Sequence, residues 1–169
     1  FTTNDEGDII YALAAIKNVG RKAAENIYKS RVKNGEYATL VDLCKIKDGA
    51  VNKKTLESLI KSGACYEIEG DQAQLYNNIE NALKIGSQYI KEEDSIQSSL
   101  FATEESVSNS SILDFDTFDS WNEDEKLRNE KEVIGFYLTG NPLKKYEEDL
   151  KEFTNINLVN LPDKLPKII

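Results

Sequence analysis

Apolar positions recur at helical spacing along most of the chain. Leu13 to Lys17 reads as a brief helix ending at Asn18-Val19-Gly20. From Arg21 to about Lys33, the positions Ala24, Ile27, Tyr28 and Arg31 keep helical register, and Asn34-Gly35 supplies the stop. Thr39 can cap a third helix through Leu40, Leu43 and Cys44, and Asp48-Gly49 marks a turn. Asn52 can cap a fourth, with Leu56, Leu59 and Ile60 as its apolar face and Gly63 at the position just past its end. Residues 12–63 thus predict two helical hairpins in tandem, four helices around one small core. Ahead of them, Ile9-Ile10-Tyr11 is a short apolar run suited to close a strand that comes from missing upstream sequence.

Asp71-Gln72-Ala73-Gln74 opens a longer helix in capping-box fashion, with Leu75, Ile79, Ala82 and Leu83 on one face and an end near Lys91. The pattern then changes. Residues 94–118 hold seven Ser, several acids and no Lys or Arg, the composition of an irregular, exposed segment. Ser120 with Glu123 makes a second capping box before Trp121, Leu127 and Ile134, and Asn141-Pro142 opens a short helix with Leu143, Tyr146 and Leu150. The expected architecture is mainly α: a tandem hairpin region over 1–64, a long helix packed on it over 65–93, a flexible linker over 94–118, helices over 119–151, and a lead-in to a further domain over 152–169.

Composition narrows the chemistry. The 169 residues include no His, which removes Ser/His and Cys/His catalysis, and Cys44 and Cys65 are too few for a disulfide scaffold. Cys44 lies on an apolar helix face and reads as buried packing. No apolar run approaches the roughly 18–20 residues that span a bilayer, and the acidic start does not resemble a signal peptide, so no membrane partner is expected. Met is absent altogether, which reads as a piece of a longer protein. The net charge of −9 is unevenly placed: residues 1–64 hold 11 basic and 8 acidic side chains, residues 65–169 hold 10 and 22. A polyanion can approach the first part and is repelled by the second. Asp114, Asp116 and Asp119 stand in the Ser-rich run as a solvated charge run, not a metal site.

Two motifs carry candidate function. Leu13-Ala14-Ala15-Ile16-Lys17-Asn18-Val19-Gly20-Arg21-Lys22-Ala23-Ala24 resembles the helix-hairpin-helix motif, in which a Gly-hydrophobic-Gly turn precedes a helix. Such a turn presents backbone N–H groups at the positive end of a helix, where a phosphate oxygen can sit. Asn18 stands at the first Gly position and tolerates positive φ, Val19 pins the turn, Gly20 admits the phosphate, and Arg21 and Lys22 add charge, so Asn18, Val19, Gly20, Arg21 and Lys22 are together the candidate phosphate-binding residues. The second hairpin, with Gly49, Asn52, Lys53 and Lys54 at its turn, lacks the Gly-hydrophobic-Gly core, but Lys53 and Lys54 are possible phosphate contacts. Both hairpins are also compatible with a purely structural role. Contacts of this kind address phosphates and not base sequence.

The second motif is Gln97-Ser98-Ser99-Leu100-Phe101, which resembles the pentapeptide by which bacterial proteins bind the sliding clamp. Leu100 and Phe101 would fill an apolar pocket while the Gln97 amide fixes register and Ser98 and Ser99 span between. The alternative is that Phe101 folds back onto the helices.

The order of these features is similar to one family, the catalytic alpha subunits of bacterial DNA polymerase III. The resemblance runs through residues 4–11, Ala15 to Gly20, Asp42-Leu43-Cys44, Val51 to Ala64, Gln97 to Phe101, and Glu130 to Leu143. Three positions depart from the family pattern: Ala12 and Asn18 where Gly is usual, and Asn141 where His is usual. The resemblance implies a cytoplasmic, non-catalytic part of a DNA-directed DNA polymerase, with its magnesium-binding palm carboxylates upstream and an OB domain downstream. It implies non-sequence-specific duplex DNA, the sliding clamp and other replisome subunits as partners, and no cofactor in this segment. The rival expectations are an accessory helix-hairpin-helix domain of a repair nuclease or ligase, or a helical protein-interaction module.

Overall fold

The structure is a computed structural model that describes residues 1–47, 49, 51–98 and 118–153. The chain divides into two compact units, Phe1–Leu138 and Thr139–Ile169. The first opens with a two-stranded antiparallel hairpin, β1 (Thr2–Thr3) with β2 (Ile9–Ile10), registering Thr2 with Ile10 and Thr3 with Ile9. The strand expected to come from upstream sequence is the short β2, and it pairs with β1 just before it. Asn4 makes this possible, since its Oδ1 accepts from the N–H groups of Glu6 and Asp8 and turns the chain back.

A short 3-10 turn (Leu13–Ala15) stands where a brief helix was expected, followed by α1 (Arg21–Asn34), α2 (Leu40–Cys44) and α3 (Lys53–Lys61). Their boundaries follow the capping residues. Thr39 forms a reciprocal capping box with Asp42, and Asn52 Oδ1 accepts from the Thr55 N–H at 3.1 Å. α3 ends in a Schellman motif: Gly63 takes φ 77°, its N–H reaches Ile60 O, and the Ala64 N–H reaches Leu59 O. Of the register expected for α1, only Ile27 is buried; Ala24 is half-buried, Arg31 is exposed, and the buried alanine is Ala23. Tyr28 is 61% exposed.

The single helix expected from Asp71 is two helices, α4 (Gln72–Asn77) and α5 (Ile79–Ser98), parted at Asn78. Asn78 is buried and its Nδ2 bonds back to Gln74 O, the local competition by which Asn interrupts a helix. α5 then continues past Lys91 to Ser98, into residues expected to belong to the linker; Lys47 pairs with Glu93 and Asp94 along this extension. α6 (Glu123–Ile134) is capped by Asn122 in a box with Glu125, two residues later than expected, because the Ser120 hydroxyl is instead bonded to Asp71. The core gathers Leu40, Leu56, Ile60, Leu75 and Ile79, all essentially inaccessible, with Val133 of α6 closing it. α5 crosses α2 closely: a Cβ at Gly86 would lie 2.5 Å from Cys44 Cβ.

In the second unit, Asn141 Oδ1 accepts from the Leu143 N–H at 2.9 Å, so Asn141-Pro142 forms a turn. A 3-10 turn (Lys144–Tyr146) and α7 (Glu147–Phe153) follow, later than the helix start expected at Pro142. The lead-in expected at 152–169 lies outside the described residues from residue 154 onward.

Candidate nucleic-acid interface

The first hairpin turn is held from three sides. Asn18 adopts φ 63°, the left-handed conformation that the motif normally assigns to glycine. Its Nδ2 donates to Ser58 Oγ at 3.1 Å and its carbonyl accepts from Thr55 Oγ1 at 3.3 Å, tying the turn to α3. The Lys17 N–H donates to Val133 O at 2.9 Å, tying it to α6. Val19 is 3% exposed, and its N–H is donated to Ile16 O, so Val19 anchors the turn and does not offer a phosphate its amide.

Gly20 caps α1 with φ −67° and ψ 154°, angles open to any residue. The turn therefore does not need glycine here; the left-handed position belongs to Asn18. What glycine provides is clearance. A Cβ at Gly20 would meet nothing within 4 Å, and with no side chain there the start of α1 carries no side-chain cap. The first-turn N–H groups, which have no intrahelical acceptor in any helix, face this open approach beside the exposed Arg21 and Lys22.

The charge of that first turn is the reverse of what helix stability favours. Acids stabilise a helix N-terminus by about 0.3–1 kcal/mol and cations oppose it. α2 places Asp42 in its first turn, α5 Glu80, α6 Glu123, Asp124 and Glu125, and α7 Glu147, Glu148 and Asp149. α1 and α3, the second helices of the two hairpins, have no acid there and start with Arg21-Lys22 and Lys53-Lys54. α4 also lacks a first-turn acid but carries Asp71 as its cap, so the helices that begin with cations are the two expected to meet phosphate.

The two hairpins share a plan but not an availability. Val51, 8% exposed, precedes the cap of α3 as Val19 precedes that of α1. Asn52 then fills the position of Gly20 with a side chain that bonds its own helix, and Lys53 Nζ lies 2.5 Å from Glu80 Oε1. The Glu80 carboxylate raises the Lys53 pKa and neutralises it locally, leaving Lys54 as the cation of that turn without an ion pair among the described residues. Sequence reasoning missed the link from Asn18 to Thr55 and Ser58. Its one trace is that two small hydroxyl residues, both 2% exposed, share the buried side of α3 with Leu56 and Leu59.

Of the pentapeptide, Gln97 and Ser98 are the last two residues of α5, where the irregular linker was expected; Ser99, Leu100 and Phe101 lie outside the described residues. Cys44 and Cys65 are free and buried, and burial pushes both thiols up to about 12. Asp119 is exposed, while Asp114 and Asp116 lie outside the described residues. Among the described residues no helix is long and apolar enough to cross a membrane.

The family model for the helix-hairpin-helix motif matches residues 1–75. Three curated relatives, each named DNA polymerase III subunit alpha, align with nearly the whole chain. That of Escherichia coli strain K12 is 34% identical over 98% of this chain, that of Neisseria meningitidis serogroup A 35% over 99%, and that of Buchnera aphidicola from Schizaphis graminum 35% over 92%. The chain spans 14% of the length of each of these relatives. Over nearly its whole length the chain is thus homologous to one segment of the DNA polymerase III alpha subunits, and its first 75 residues match the helix-hairpin-helix model.

Proposed function

We propose that this chain is the non-catalytic, duplex-holding segment of a bacterial replicative DNA polymerase. The observation that carries the reading is the open, cation-flanked start of α1: Gly20 leaves its N–H groups approachable, and Arg21 and Lys22 occupy a turn where other helices of the chain place acids. A phosphate oxygen there would accept from first-turn N–H groups along the helix dipole, with Lys22 as a point charge and Lys54 as a neighbour from the second hairpin. Neither Asn18 nor Val19 is a phosphate ligand in this reading; they fix the turn's shape. Recognition of this kind is independent of base sequence. The test is fluorescence anisotropy with two unrelated duplexes across a salt series. Wild-type chain should bind both alike, weakening as salt rises, and Lys22→Glu should bind neither. Salt-insensitive binding, or binding that survives Lys22→Glu, overturns the proposal.

The same segment would tether the polymerase to the sliding clamp through Gln97 to Phe101. The support is the sequence pattern and its place in a chain homologous to the alpha subunits. Burial of Leu100 and Phe101 is worth roughly 2–3 kcal/mol each before ordering costs, a scale suited to a reversible contact. Two weak contacts on one duplex, to the phosphates and to the ring, reinforce each other through effective concentration, which is how processivity would arise. Pull-down by immobilised clamp should retain the chain and lose the Leu100→Ala/Phe101→Ala variant; equal retention removes this part of the reading.

A further inference from the structure

The positive charge of this acidic chain is concentrated along the whole of α1 and not only at its start. Between Arg21 and Asn34 the helix carries Arg21, Lys22, Lys29, Arg31 and Lys33 against the single acid Glu25, within a chain of net charge −9. All five cations are exposed, and among the described residues every ion pair lies outside α1.

Lys22, Lys29 and Lys33 fall in one row. At about 100° per residue they lie within roughly 20° of a common line, and at about 1.5 Å per residue the row is roughly 16 Å long. Helix stability does not account for it. The macrodipole favours a cation in the last turn, which covers Lys33, but it disfavours Lys22 in the first turn and does little for Lys29 at mid-helix. Lys29 stands four residues after Glu25 and four before Lys33, so its helical neighbours supply one attraction and one repulsion of similar size and do not account for its placement. An exposed row of cations that forms no ion pair among the described residues is complementary to a polyanion lying along it. A length of roughly 16 Å matches about five nucleotides of axial rise in one DNA strand.

We infer that the phosphate footprint of this chain continues from the turn at Gly20 along α1, with Lys29 and Lys33 contacting further phosphates of the same duplex. This rests on the duplex-holding reading above and extends it from one phosphate site to a track. The Gln substitutions that test it sit at exposed, unpaired positions, and circular dichroism checks that α1 stays helical.

The experiment is duplex anisotropy with the full chain, comparing wild type, Lys22→Glu and Lys29→Gln/Lys33→Gln across a salt series. Each phosphate contact contributes about 0.9 to the slope of log K against log salt. The double variant should therefore lose about 1.8 from the slope, which at 0.1 M salt corresponds to roughly 60-fold in affinity when counterion release is the whole of each contact. A slope equal to wild type in the double variant, with Lys22→Glu abolishing binding, overturns the track while the turn site stands. Salt-insensitive binding by wild type overturns both.

Discussion

Replacing Gly86 with alanine sets two effects of known sign against each other. In the middle of α5, glycine is a poor helix residue, and alanine at an unobstructed site gains about 1 kcal/mol. Gly86 is not unobstructed. The added Cβ would lie 2.5 Å from Cys44 Cβ and 2.8 Å from both the carbonyl carbon and oxygen of Cys44. Carbon contacts are optimal near 3.5–4.0 Å, so the overlap is about 1 Å, and two of the three obstructing atoms are backbone that no rotamer change removes. Relief requires α2 and α5 to separate by that amount. A gap of 0.5–1 Å already forfeits about a quarter to a half of each dispersion contact across it. Overpacking of this kind typically costs about 1–3 kcal/mol or more, and here it exceeds the propensity gain. The expected net destabilisation is about 1–2 kcal/mol, a fall in Tm of several degrees for a unit of this size, on the order of 3–8 °C. Urea denaturation followed by circular dichroism checks it, with the midpoint falling at unchanged m. A midpoint that rises would mean that helix propensity governs and that α2 and α5 do not approach as described.

At the turn, Gly20→Ala should leave stability within about 1 kcal/mol, since φ −67° suits alanine and its Cβ meets nothing, while duplex affinity falls because the Cβ stands in the phosphate approach; parallel anisotropy and melting curves separate the two. Asn18→Ala should cost about 2 kcal/mol through left-handed strain and the lost bond to Ser58, whereas Asn18→Gly should cost about 1 kcal/mol, the bond alone; urea midpoints rank them. Acid should weaken the packing of α4. The Asp71 carboxyl is held below its ordinary 3.8, first by the Ser120 hydroxyl and then by the Gln74 N–H. Because the folded value is the lower one, its contribution is present above about pH 4 and is lost as pH falls through the depressed value. Asp71→Asn should flatten that part of a stability-against-pH curve, and an unchanged acid limb would show that Asp71 is not a source of it.

Local signals read well where a single residue decides an element's end. Thr39, Asn52, Gly63 and Asp71 each perform the role that their chemistry announces. The misreadings occur where two candidates compete or a distant partner intervenes. Ser120 and Asn122 both offer a cap with an acid three residues on, and Ser120 is diverted by Asp71, a residue 49 positions away. Asn78 breaks a helix whose apolar register runs through it uninterrupted, which periodicity cannot register. Tyr28 keeps i,i+4 spacing with Ala24 yet is exposed, because α1 buries a stripe narrower than its apolar content suggests. At the candidate site, the residues of the turn were legible but the division of labour among them was not. Only the backbone angles show that Asn18 carries the strained conformation and leaves Gly20 to serve another purpose.

A helix that starts with glycine and two cations is unfinished by the standards of its neighbours, and an anion would finish it. Phosphate seated over Gly20 would act as the cap that no side chain supplies, cancel the repulsion of Arg21 and Lys22, and stiffen the hairpin as it bound. Grip on the nucleic acid and firmness of the fold would then rise and fall together, so that the segment is sturdiest when loaded and most pliant between templates.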